Sequence, residues 1–179
     1  MVLDIVIAAF VVLATAAGWV FFVSTRNGLV RERNELAKAW TGLDQLLKQR
    51  RDELPRLIGI CRSYLKDAAG LLDPVTAARA AEQKAAPAPE KARAAAQLSQ
   101  ALQNLFTAAD REAALGLDTS YRQLKKLILG LGERIDAERA RFNQQAGAFN
   151  ARLAGLPGRL AAAHLRPQAL FDARDPQGG

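Results

Sequence analysis

Residues 36–65, LAKAWTGLDQLLKQRRDELPRLIGICRSYL, decide the fold class. Leu36, Trp40, Leu43 and Leu47 are spaced four, three and four. After a step of seven, Leu54, Ile58, Cys61 and Leu65 repeat the pattern, and Leu72 lies seven further on. Apolar residues at this period share one face of a helix and drive it to pack along a seam with other helices. One long helix is therefore expected to run to Leu72. Pro55 sits inside it, where a proline removes one backbone hydrogen bond and crowds the preceding turn. Because the stripe resumes in phase at Ile58, the expectation is a kink and not an end. Cys61 falls on the stripe and reads as a small core residue in preference to a reactive thiol.

Upstream, the run Ile5–Val23, IVIAAFVVLATAAGWVFFV, holds 19 residues without a charge. As a helix rising ~1.5 Å per residue it covers roughly 28 Å, close to the ~30 Å hydrocarbon thickness of a bilayer. Residues 1–25 are read as a transmembrane anchor in contact with membrane lipid. The alternative is a cleaved signal peptide, because Ala14-Thr15-Ala16 resembles a cleavage site. Against it, Met1-Val2-Leu3-Asp4 lacks the basic residues of a signal's first region, and the apolar run continues past the cut through Trp19, Phe21 and Phe22. No Lys or Arg precedes the run, whereas Arg26, Arg31, Arg33 and Lys38 follow it, which places the rest of the chain in the cytoplasm. If those cations are only a solvated helix face, topology stays open.

Downstream, Asp73-Pro74 suits a stop and restart, with Asp as N-cap and Pro at the first helical position. A second helix is expected from Pro74 to about Ala86. Pro87 and Pro89 interrupt the low-complexity stretch KAAPAPEKARAAAQ at 84–97, and an Ala-rich helix resumes with Glu90 in its first turn. Leu98, Leu102, Leu105 and Ala109 carry a stripe toward Leu115-Gly116. Asp118 or Thr119 then caps a last long helix bearing Tyr121, Leu124, Ile128, Leu131, Ile135, Phe142, Phe149, Leu153 and Leu156. Glu138 is a charge on that stripe, read as the partner of a basic residue on a neighbouring helix. Pro157-Gly158 should end the helix, Leu160–His164 form a short final one, and residues 166–179 a disordered tail.

These lengths predict an all-α protein: an N-terminal transmembrane helix continuing into an elongated antiparallel three- to four-helix bundle with coiled-coil-like packing over residues 26–165, broken near 85–90. In the elongated form the second and third helices make one broken strand of the bundle. If the break at 87–89 reverses the chain, the arrangement is a compact four-helix one, and length does not decide between them. Composition agrees with the class, since half the residues are apolar yet aromatics are only 6%. Of the acids only Asp4 precedes Arg26, so the chain from there on has 17 Asp and Glu against all 25 Lys and Arg, a net +8. The charges alternate along helices, so no nucleic acid partner is expected. A lone Cys61 and a lone His164 exclude an intramolecular disulfide and a Cys/His zinc site within one chain. No serine-hydrolase, zinc-protease or phosphate-loop motif occurs, so neither enzyme activity nor a cofactor is expected.

Asn27, Leu29-Val30, Arg33-Asn34, Ala39-Trp40, Leu43-Asp44, Leu47-Lys48, Arg50-Arg51, Asp52, Leu54-Pro55 and Leu57 resemble the LemA family of bacterial membrane-anchored helical proteins. Arg134-Ile135, Arg139, Phe142-Asn143, Phe149-Asn150 and Leu156-Pro157 are similar to that family's late pattern of an aromatic followed by Asn, twice, then a Pro. Here Arg26 replaces the usual Tyr before the first Asn, Phe replaces Tyr in the later pairs, and Glu112-Ala113 stands where the family has Tyr-Pro. The resemblance implies a single-pass protein of the bacterial inner membrane without catalytic residues, in a family that includes magnetosome-membrane and envelope-stress proteins. Asn34, Asp44 and Arg51 are then candidates to cap, bridge or bury hydrogen bonds, and Trp40 to fill a core, with subunit contacts as the functional alternative.

Two functions fit. One is a membrane-anchored scaffold that self-associates as a homo-oligomer through its helices, helped by Gly18 and Ala8, Ala9, Ala14, Ala16 and Ala17 in the anchor. The other is an adaptor or regulatory module whose cytoplasmic bundle binds another protein, with the Ala/Pro stretch as the docking segment.

Overall fold

A computed structural model describes residues 1–65, 68–86, 88–155 and 166–172, the side chains of residues 2–5 excepted. Among the described residues there are five helices and no strand: α1 Val2–Tyr64, α2 Ala68–Lys84, α3 Ala88–Ala109, α4 Ala113–Leu117 and α5 Thr119–Ala154. The all-α class and the long apolar N-terminal helix stand as expected. Two compact units are distinguished, one of Met1–Lys38 with Gln145–Gln168, the other of Ala39–Gln144 with Ala169–Gly179.

In the larger unit four helices run alternately up and down. Tyr64 of α1 donates from its hydroxyl to Asp118 at 3.0 Å, while Trp40, seven turns earlier, meets the Phe142 ring of α5 at 5.5 Å, so α1 and α5 are antiparallel. Asp44 pairs with Lys91, and Arg50 reaches Ser99 at 2.9 Å, so α3 runs parallel to α1. The reversal between α2 and α3 is visible at Arg50, which touches Glu82 of α2 as well as Ser99 of α3. Both helices flank α1 at one level. Of the two arrangements that length left open, the larger unit takes the four-helix one, because α3 runs back against α2. The core joins Leu54, Leu57 and Cys61 of α1 to Leu72 and Val75 of α2, Leu98 and Leu105 of α3, Leu115 of α4 and Tyr121 of α5.

Other boundaries also differ. The first helix ends at Tyr64, closed by the Leu65 N–H donating to Cys61 O at 3.0 Å, and does not reach Leu72. Leu72 kept the heptad spacing but belongs to a new stripe, Leu72, Val75, Ala78 and Glu82, all buried in α2. Pro74 therefore lies inside α2 and does not start it. Pro55 is exposed within α1, which continues through it, and Leu57 takes the fully buried position in place of the partly buried Ile58. Glu90 occupies the first turn of α3 as expected, but α3 ends at Ala109 and a separate short helix carries Leu115. Asp118 caps α5, its Oδ1 accepting the Tyr121 N–H at 2.8 Å.

In the smaller unit Leu29 packs with Phe149 and Leu153, and Glu32 forms an ion pair with Arg152. The stretch from Val6 to Val23 is long and apolar enough to cross a membrane, and none of its side chains is buried. α5 is described to Ala154; the expected stop at Pro157-Gly158, the short helix Leu160–His164 and Pro87 lie outside the described residues. The expected tail began too early. Residues 166–172 are neither helix nor strand, yet Phe171 is 1% exposed, held in place by Asn143 and the Trp40 ring.

Candidate functional site

Three features of the larger unit carry chemistry. The first is a buried cluster of charge. Glu82 is fully buried on α2, and its Oε2 accepts from Arg50 Nη2 at 3.2 Å while Oε1 accepts from Arg51 at 3.5 Å. Arg50 also donates to Ser99 Oγ at 2.9 Å and to Ala95 O at 3.3 Å, and Arg79 donates to Arg51 O at 3.0 Å. Burial raises the Glu82 carboxyl above its ordinary value, and the two guanidinium groups oppose the rise. Such a cluster sets register between helices, because any other pairing would leave a charge buried alone.

The second feature is an aromatic–asparagine grip. Trp40 packs against Phe142 at 5.5 Å and Phe171 at 5.8 Å, and Lys91 Nζ stands 5.7 Å from the indole centroid. Next to Phe142, Asn143 donates from Nδ2 to Phe171 O at 3.0 Å and accepts the Phe171 N–H on Oδ1 at 2.7 Å. In the smaller unit Asn150 does the same for Gln168, with both bonds at 2.8 Å. A side-chain amide in this pose presents one donor and one acceptor, as a neighbouring β-strand would. The Phe-Asn pairs of the sequence now have a physical sense: the Phe is buried in a helix seam and the Asn beside it binds main chain.

The third is an open groove of about 480 Å³ lined by Leu102, Phe106, Ile128 and Leu129 together with Arg50, Asp110, Lys125, Glu133 and Asp136. Lys125 pairs with Asp110 there and lies over the Phe106 ring.

Among the residues singled out from sequence, Trp40, Phe142 and Asn143 meet at one place, Asn150 makes the like contact beside buried Phe149, and Asp44 and Arg51 bridge to α3 and α2. Asn27, Arg33 and Asn34 are exposed, so Asn34 buries no hydrogen bond. Pro157 lies outside the described residues. Glu138 pairs with Arg141 one turn on in the same helix at 4.0 Å, which corrects the expected partner on another helix: it is partly exposed, and an i,i+3 neighbour suffices. The acid that does sit on an apolar stripe opposite basic residues of another helix is Glu82, and the sequence reading missed it along with Arg50 and Phe171. Two of these had a signal. The step from Leu47 to Leu54 leaves a core position that Arg50 fills, and α2's stripe ends on Glu82. No group of three or more His, Cys, Asp or Glu able to hold a metal occurs among the described residues.

A family model described as the LemA family matches residues 39–178, and no curated protein matches the chain. The matched span takes in the buried charge cluster, both Phe-Asn pairs and Phe171, and leaves the apolar N-terminal run, Asn27, Arg33 and Asn34 outside it. Because that span covers far more than half of the sequence, the chain belongs to the LemA family.

Proposed function

We propose that this protein is a single-span protein of the bacterial cytoplasmic membrane whose helical domain faces the cytoplasm and acts as a non-catalytic scaffold, self-associating to organise or shape the bilayer. The observation that carries this reading is the surface of α1. Val6–Val23 presents Phe10, Leu13, Trp19 and Val20 unburied, and the same helix runs on to Tyr64. A continuous exposed apolar helix is stable against lipid or another apolar surface, and not against water. Gly18 with the neighbouring alanines permits close packing of anchors in lipid. The cations after the run favour the cytoplasmic side. Burial pushes the Cys61 thiol up to about 11, which leaves it protonated at neutral pH and a poor nucleophile.

Full-length protein extracted with its lipids tests the reading by imaging and mass measurement. Resistance to alkaline carbonate extraction, protease protection of the domain in right-side-out vesicles and discrete multimers are expected. Release by carbonate, or a monomer at every concentration, overturns it. The groove lined by Leu102 and Leu129 favours the adaptor reading as a second one, and Leu129→Asp, at a 49% exposed position, separates the two. It abolishes partner capture under the adaptor reading and leaves assembly intact under the scaffold reading.

A further inference from the structure

Phe171 is held in a way that a covalent neighbour does not require. Its ring is 1% exposed against Trp40, while Asn143 reads its N–H and C=O, and the adjoining Leu170 is 43% exposed. The contacts are those of a bound extended peptide: a main-chain grip that tolerates any side chain, and one aromatic anchor that supplies selectivity. Burial of the ring removes a large apolar area from water, whereas the amide exchanges bonds to water for bonds to main chain, so the anchor and not the amide sets the affinity.

We propose that Trp40, Phe142 and Asn143 form a receptor for an extended, Phe-bearing segment, filled by Ala169–Phe171 of its own chain and, between neighbouring copies, by the same stretch of a second copy. This rests on the self-associating membrane reading above. Each copy carries both the receptor and its ligand, and exchanging an identical element between copies is a low-cost route to association. Ten residues separate Gly155 from Arg166 in the sequence, a contour of roughly 40 Å. Confinement of copies to one bilayer raises their effective concentration and favours exchange.

The probe is a fluorescein-labelled peptide of residues 166–172, RPQALFD, titrated into full-length protein carrying Phe171→Ala in detergent micelles. Removing the chain's own ring empties the place against Trp40 and leaves Trp40, Phe142 and Asn143 in place, so the peptide competes only with the main chain of residue 171 for Asn143. Saturable binding is expected, about tenfold tighter than to the unsubstituted protein, whose own Phe171 competes, and about tenfold tighter than for the peptide with Ala at the Phe position. Adding Asn143→Ala should weaken it further. Unchanged helical circular dichroism shows that each variant is folded. A folded Phe171→Ala chain that does not bind the peptide, or that binds the Phe and Ala peptides equally, overturns the receptor. The occupant is tested by cross-linking in vesicles: a smaller multimer for Phe171→Ala supports exchange between copies, and a multimer unchanged in size overturns exchange while leaving the self-association reading standing. A monomeric unsubstituted protein removes that reading and the second-copy occupant together, and the peptide titration still decides the receptor on its own.

Discussion

Arg50 of α1 donates to Glu82 of α2 at 3.2 Å, with the two side chains 3% and 0% exposed. Opposite charges taken out of water gain their attraction only while both are present, so the loss of one is worse than the loss of both. Arg50→Met should destabilise the domain by about 3–5 kcal/mol, whereas the double variant Arg50→Met/Glu82→Leu should recover most of that loss. Thermal and urea unfolding followed by circular dichroism measures both. A double variant as unstable as the single one would show that the ion pair is not the source of the effect.

The same glutamate gives a pH dependence of defined sign. Its folded-state pKa is raised from 4.5 by burial, against the pull of Arg50 and Arg51. A raised carboxyl contributes stability below the unfolded value and loses it as pH rises through the folded one. Glu82→Gln carries no titrating group, so the difference in Tm between unsubstituted protein and variant should decline as pH increases upward from 4.5. A pH-independent difference would mean that Glu82 titrates alike in the folded and unfolded chains.

How much of this was legible beforehand follows from the range of each interaction. Leu36, Leu43, Leu47 and Leu54 are buried where the period places them, because leucines along one face of a helix have no other stable environment. Asp118 and Glu90 are local signals and stand at helix starts. The turn between α2 and α3 was not legible. Prolines announce a break there but not its angle, and the angle is set by what Glu82 and Ser99 meet on α1. Arg50 and Glu82 each fall on an apolar stripe, but they are 32 residues apart, so nothing local names one as the partner of the other. The grip on Phe171 escaped for a different reason. Asn143 binds main chain, and main chain leaves no mark in a sequence.

Asp118 joins two elements at the other end of the unit, accepting the Tyr121 N–H at 2.8 Å and the Tyr64 hydroxyl at 3.0 Å. The Tyr121 N–H first, and the Tyr64 hydroxyl second, hold its carboxyl below 3.8. A depressed carboxyl contributes stability above its unfolded value and loses it as pH falls through the folded one. Asp118→Ala should therefore lower Tm at neutral pH, and its deficit should shrink as pH falls below 3.8. Tyr64→Phe should produce a smaller deficit with the same pH course. Melting curves across an acid series check both variants, and a deficit that stays constant to the lowest pH would assign the cap's effect to packing and not to charge.

Cys61 offers a probe of whether the core opens. Its side chain is 0% exposed among Leu54, Leu57 and Leu72, and burial pushes the thiol up to about 11. Only the thiolate attacks a disulfide reagent, and only where the reagent can reach it. The folded protein should leave Ellman's reagent unreacted at neutral pH over hours, then titrate one thiol per chain after guanidinium is added. Arg50→Met, which loosens the same unit, should raise the native-state labelling rate by the factor by which it raises the opening equilibrium constant, provided that opening and closing are fast compared with labelling. Rapid labelling of the unsubstituted protein in the absence of denaturant would show that α1 does not hold Cys61 against α2 in solution as it does here.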